Sequence, residues 1–197
     1  MNIKAEKITE LEGHQAAIYT IAEGFAENEL LSAGSERFVA VWDLNNPDLA
    51  ELIARAEGVI YSVQALPEIG QLLIGTDQGN IHVIDINNKQ EIKNIKAHET
   101  GVFDFLIQKK QNRLITSSAD GSIKVLDLNN YNLLFTAKLC DAKIRQLALS
   151  PDETTIAAAC GDGTIKLLKA SDYTLQQTIQ AHGMSVNAVV SARRAKH

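Results

Sequence analysis

Basic residues are in the minority: 19 lysines and arginines face 24 acidic side chains, a formal charge of −5. Composition therefore offers no broad cationic surface for a phosphate backbone, which disfavours nonspecific nucleic-acid binding. Cysteine is scarce. Cys140 and Cys160 are the only two; they lack CxxC or metal-ligand spacing and are too few for a disulfide scaffold. Both are expected to stay reduced as small apolar residues, in preference to Cys140 reaching across to Cys160. No apolar stretch approaches the roughly 18 residues that span a bilayer, and the opening MNIKAEKITE lacks the apolar run of a signal peptide. These absences lead to the expectation of a cytoplasmic chain with no membrane partner.

Catalytic signatures are missing as well. GxSxG, HExxH, GxxxxGK[ST] and GxGxxG do not occur. The nearest phosphate-like string, Gly161-Asp162-Gly163, sits between two strand-like runs and not before a helix, so it reads as a turn. No cofactor and no metal are expected. Apolar residues at the 3.6-residue spacing of a helix are lacking too. What the chain does have is size: 197 residues, 45% hydrophobic, suffice for the core of one domain or two small ones.

It also has a clean internal repeat. FVAVWDLNN, IHVIDINN, IKVLDLNN and IKLLKASD place Trp42, Ile84, Leu126 and Leu168 at intervals of 42 residues without a gap. The same register aligns Asp43, Asp85 and Asp127, with Lys169 as the exception, and the doublets Asn45-Asn46, Asn87-Asn88 and Asn129-Asn130. It aligns His14, His98 and His182, with Ala56 and Cys140 at the intermediate positions. The chain thus reads as four repeats, about 14–55, 56–97, 98–139 and 140–181, a partial fifth at 182–190 and an irregular basic tail at 191–197. Each repeat holds four short β-rich runs. In the third they are VFDFLI, RLITSS, SIKVLDL and LLFTAKL, parted by QKKQN, Asp120-Gly121 and NNYN. Asp-Gly at 120–121 and 162–163 is expected to supply two residues that tolerate positive φ, with the Asn doublets serving the next hairpin in the same way. Apolar residues of both parities within one run fit sheets covered on both faces.

Gly13-His14 opens one repeat and Trp42-Asp43 closes it; SADGSIKVLD stands at 118–127 and LSPDE at 149–153. In these features the chain resembles the WD-repeat β-propellers over about residues 5–190. The resemblance implies an all-β fold, a propeller or propeller segment of four four-stranded antiparallel blades plus one starting strand. It makes Lys4–Leu11 an outer strand of a closing blade. It further implies a buried network of the opening-loop His, a Ser or Thr, a turn Asp and the Trp. On this chain that network is His14, Ser32 and Trp42 with Glu36 in place of Asp, then His98, Thr116 and Asp120 with Leu126 in place of Trp. The fourth repeat keeps Asp162 beside Cys140, Ala158 and Leu168; the second has Ala56, Ile74, Gln78 and Ile84. Such residues are expected to be structural. Two sharper readings, a metal held by His14, His98 and His182 or acyl transfer by Ser32, His14 and Asp120, are set aside because one repeat position recurs in different blades.

One repeat position departs from packing logic. After Ile18, Ile60, Val102, Ile144 and Val186 come Tyr19, Tyr61, Phe103, Arg145 and Asn187. A wholly buried position would not take Arg and Asn, and three aromatics with an arginine have the composition of interaction hot spots. The resemblance places this position near the channel mouth; the plainer reading is a half-buried aromatic supporting its loop. The expectation is a noncatalytic scaffold that binds a protein or peptide through Tyr19, Tyr61, Phe103 and Arg145. Glu57, Asp77, Glu99 and Asp141 in the bordering loops favour a partner of basic or mixed character. An enzyme with an unrecognised site is the rival class. Since the pattern is lost after SVNAVV, a shortened fragment or a chain that self-associates to complete its propeller is preferred over a four-bladed ring. Arg193, Arg194, Lys196 and His197 read as a solvated end.

Overall fold

Each β-rich run forms a strand in the computed structural model, which describes residues 5–192. The first sheet holds β1 (Ile18–Glu23), β2 (Glu29–Gly34), β3 (Phe38–Asp43) and β4 (Ala50–Arg55). The second holds β5 (Ile60–Leu66), β6 (Gln71–Thr76), β7 (Asn80–Asp85) and β8 (Gln90–Lys96). The third holds β9 (Val102–Gln108), β10 (Arg113–Ser118), β11 (Ser122–Asp127) and β12 (Leu133–Lys138). The fourth holds β13 (Ile144–Leu149), β14 (Thr155–Cys160), β15 (Thr164–Lys169) and β16 (Leu175–Gln180). Strands lie side by side in chain order within every sheet. The fold is all-β, with four four-stranded antiparallel sheets as the blades of a propeller segment.

The chain divides into two compact units. One comprises the residues up to Ile74 and His82–Lys93; the other comprises Gly75–Ile81 and the residues from Asn94 onward. Leu31, Val39, Ile60, Leu72 and Ile74 form the core of the first, and Ile115, Ile123, Ile144, Ile156 and Leu168 that of the second. All of Leu114–Ser118 on β10 is buried, so both faces of a central strand are covered, which accounts for the imperfect apolar alternation. The last strand of each sheet is largely exposed, β16 along its whole length, and in the first sheet β1 is exposed as well.

The turns differ from expectation. Only the glycine of each Asp-Gly pair is left-handed, Gly121 at φ +78° and Gly163 at φ +86°. Gly121 N–H donates to the Ser118 carbonyl, which makes a three-residue hairpin that needs a single positive φ. A Cβ on Gly121 would collide with the carbonyl oxygens of Cys140 and Ala142, a second reason for glycine there. The Asn doublets are not left-handed either; that conformation falls one residue later, at Lys89 and Tyr131. The cause is the preceding aspartate. Asp43, Asp85 and Asp127 accept the amides of Asn45, Asn87 and Asn129 at 2.9 Å, an Asx turn that holds the doublet right-handed.

Two expected strands are absent. Residues 5–11 form no strand, and Ile8 stands almost fully exposed. The partial fifth repeat forms no starting strand: 182–190 lacks a ladder partner among the described residues, and its bonds to the fourth sheet are scattered. Val186 N–H donates to the Cys160 carbonyl, and Val189 N–H to Gln146 Oε1 at 2.9 Å. The expected outer-strand residue Lys4 and the basic residues Arg193, Arg194, Lys196 and His197 lie outside the described residues. No helix among the described residues is long and apolar enough to cross a membrane.

Candidate functional site

A β-bulge underlies the divergent repeat position. On β1 and β2, Ile18 pairs with Gly34 and Thr20 with Ala33, which leaves Tyr19 without an opposite residue. Phe103 is skipped between Val102 and Asp104, and Arg145 between Ile144 and Gln146. An extra residue in one strand bends it and re-aims the side chain. The inward residues are consequently three apart, Val102 with Phe105 and Ile144 with Leu147, all four buried. That spacing was present in the sequence and is the signal of the bulge.

Within the first unit, the structure brings Tyr19 and Tyr61 together edge to face, with ring centroids 5.3 Å apart at 75°. Tyr19 is 53% exposed and Tyr61 half-buried. Within the second unit it brings Arg145 to Phe103, with the guanidinium carbon 5.5 Å from the ring centroid. Lys143, which sequence reasoning missed, reaches the same ring at 5.9 Å. Glu57, Glu99 and Asp141 are exposed, and Asp77 is half-buried.

Beside the bulge lies a second missed residue. Asp104 turns inward from β9 and accepts the Leu147 N–H of β13 at 2.7 Å. Burial pushes its carboxyl up to about 7, against the pull of the Leu147 and Phe105 amides. Gln146 makes the corresponding bond one repeat on, to Val189.

His14, Ser32 and Trp42 form a connected set. Trp42 Nε1–H donates to Ser32 Oγ at 2.7 Å, Ser32 Oγ meets His14 Nε2 at 2.7 Å, and His14 Nδ1 meets Glu36 Oε2 at 2.5 Å. The His14 ring stacks on Phe38. The Gln15 amide, then the His14 ring, hold the Glu36 carboxyl below its ordinary range. In the third sheet His98 Nε2 meets Thr116 Oγ1 at 2.8 Å, and His98 Nδ1 meets Asp120 Oδ2 at 3.1 Å. No indole donates to Thr116 here, and Ser122, at the repeat position of Phe38, adds a bond of its own: its hydroxyl donates to Asp120 Oδ1 at 2.5 Å. Burial pulls His98 below its ordinary pKa, and Asp120 opposes this. Asp162 receives the amide and hydroxyl of Thr164 at 3.0 and 2.6 Å.

Both ring nitrogens of His14 and His98 are occupied by neighbouring side chains, and the described residues contain no group of three His, Cys, Asp or Glu that could hold a metal ion. Cys140 donates its thiol to the Ala142 carbonyl at 3.1 Å, while burial and the nearby Cys140 push the Cys160 thiol up, away from the reactive thiolate form.

Residues 5–43 and 89–127 match the family model described as WD domain, G-beta repeat, and residues 109–191 match that of the anaphase-promoting complex subunit 4 WD40 domain. No curated protein matches the chain.

Proposed function

Because the chain belongs to the WD-repeat family, we propose that it is a noncatalytic scaffold that binds a protein or peptide through Tyr19, Tyr61, Phe103 and Arg145. The observation that carries the reading is the bulge at Tyr19, Phe103 and Arg145, which turns side chains out of the ladder at a repeating position. Bulky aromatics give large contact area at little rotamer cost, and arginine adds a planar charged anchor. Family members generally bind proteins, and the second matching model is named for a subunit of a multiprotein complex, which supports a protein partner. The acidic residues of the bordering loops together with Lys143 and Arg145 suit a partner of mixed character. The cell's cytoplasm is the compartment that fits this role.

A pull-down tests it. Wild type is expected to capture partners that a Tyr19→Ala, Tyr61→Ala, Arg145→Ala variant loses, once circular dichroism shows that the variant keeps its strand content. Equal capture by both chains discards this face.

A second reading, that a further blade from another copy or a longer chain covers β1, is favoured by Ile21. It is 67% exposed, whereas its equivalents Val63, Phe105 and Leu147 are 5%, 6% and 5% exposed. Burying such a side chain contributes about 1.5 to 3 kcal/mol. Light scattering is expected to return more than one chain mass for wild type and a single mass for Ile21→Asp; a wild-type monomer removes the second-copy form of this reading.

A further inference from the structure

Resting on the proposed binding face, we infer that its second-unit half, Phe103 with Lys143 and Arg145, is the subsite for an aspartate or glutamate side chain of an extended partner peptide. Two cations converge on one aromatic ring, the Lys143 ammonium at 5.9 Å and the Arg145 guanidinium at 5.5 Å from its centroid. Both residues are exposed. A carboxylate approaching this ring gains from both charges, and the guanidinium offers paired N–H donors that match its two oxygens.

Two of the nearby acids are engaged by other partners. Asp104, adjacent to Phe103 in sequence, points inward to the Leu147 amide, a consequence of the bulge that turns Phe103 outward. Asp141, two residues before Lys143, lies 3.7 Å from the Lys138 ammonium. Glu99 is exposed on the loop before β9 and suits a basic residue elsewhere along the same peptide. The Phe103 ring holds the two cations near each other through its π face. The charge pattern of the chain as a whole points the other way, toward basic partners, so the preference at this one subsite is a local property of three side chains.

The probe is a library of random linear peptides displayed on phage. Wild type is expected to enrich peptides carrying Asp or Glu at a fixed position, and a Lys143→Glu, Arg145→Glu variant to enrich Lys or Arg at that position. Both substituted side chains are exposed, and an unchanged circular dichroism spectrum and Tm confirm folding. Enrichment without charge bias that is still lost in Tyr19→Ala, Tyr61→Ala overturns this inference and leaves the binding face standing. Enrichment insensitive to every one of these substitutions, or no enrichment by wild type, overturns the inference and the face together.

Discussion

Replacing Trp42 by alanine is expected to lower stability by about 3 to 5 kcal/mol, the usual cost of truncating a large buried aromatic. The side chain is only 4% exposed. Its ring packs so closely on Gly13 that a Cβ there would stand 3.1 Å from it, and its N–H holds the Ser32 hydroxyl that in turn meets His14. Truncation opens a cavity and removes the donor to Ser32 at once, and a buried polar group stripped of a partner adds its own cost. Trp42→Leu should cost less, since it restores most of the volume, yet more than nothing, because the Ser32 hydroxyl loses its indole donor. Denaturant unfolding followed by circular dichroism measures both variants. An unchanged midpoint in Trp42→Ala together with lost partner capture would make Trp42 a contact residue and overturn its structural role.

Asp104→Asn is expected to stabilise the protein at about pH 8 by roughly 1 to 3 kcal/mol, with the gain disappearing in acid. The sign follows from the raised carboxyl. With its folded pKa moved from 3.8 to about 7, the group favours folding most below 3.8, and that contribution is lost as pH rises toward 7. Above that range a carboxylate stands in a poorly solvated place, and an amide there keeps an oxygen for the Leu147 N–H without the charge. The residue retains some exposed surface, so the gain falls short of the full shift. His98 pulls the wild-type profile the other way: its pKa is lowered, so its contribution is complete above its ordinary value of 6.5 and falls as pH drops through the folded one. The difference between wild type and Asp104→Asn cancels that background. A difference independent of pH, or a variant less stable at pH 8, contradicts the burial of this carboxyl.

Strand positions were legible because apolar content and a gap-free period act together. VFDFLI and RLITSS fall almost residue for residue on Val102–Gln108 and Arg113–Ser118. Turn conformations were less so. Asn-Asn and Asp-Gly are compatible with left-handed backbone, but the Asp43, Asp85 and Asp127 carboxylates hold the Asn doublets right-handed, a choice made by side-chain bonds that a dipeptide does not display. The divergent position was readable from Arg145 and Asn187 alone. Its physical basis lies in the sequence too, in apolar pairs spaced by three, a departure from strand alternation that a bulge produces. Lys143 stayed hidden because its repeat equivalents, Ala17, Val59 and Gly101, share no chemistry with it. Asp104 stayed hidden because Thr20, Ser62 and Gln146 make the position look merely polar.

The account's central claim is that the bulged position carries partner binding, and calorimetric affinity for a captured partner tests it most directly. Single Tyr19→Ala, Tyr61→Ala, Phe103→Ala and Arg145→Ala variants are each expected to weaken binding by about 1 kcal/mol or more, mainly through faster dissociation. Asn45→Ala, Asn87→Ala and Asn129→Ala, at the opposite end of their sheets, are expected to leave it unchanged. The reverse result, full affinity in the first set and loss in the second, would contradict the claim and move the binding surface to the Asn turns.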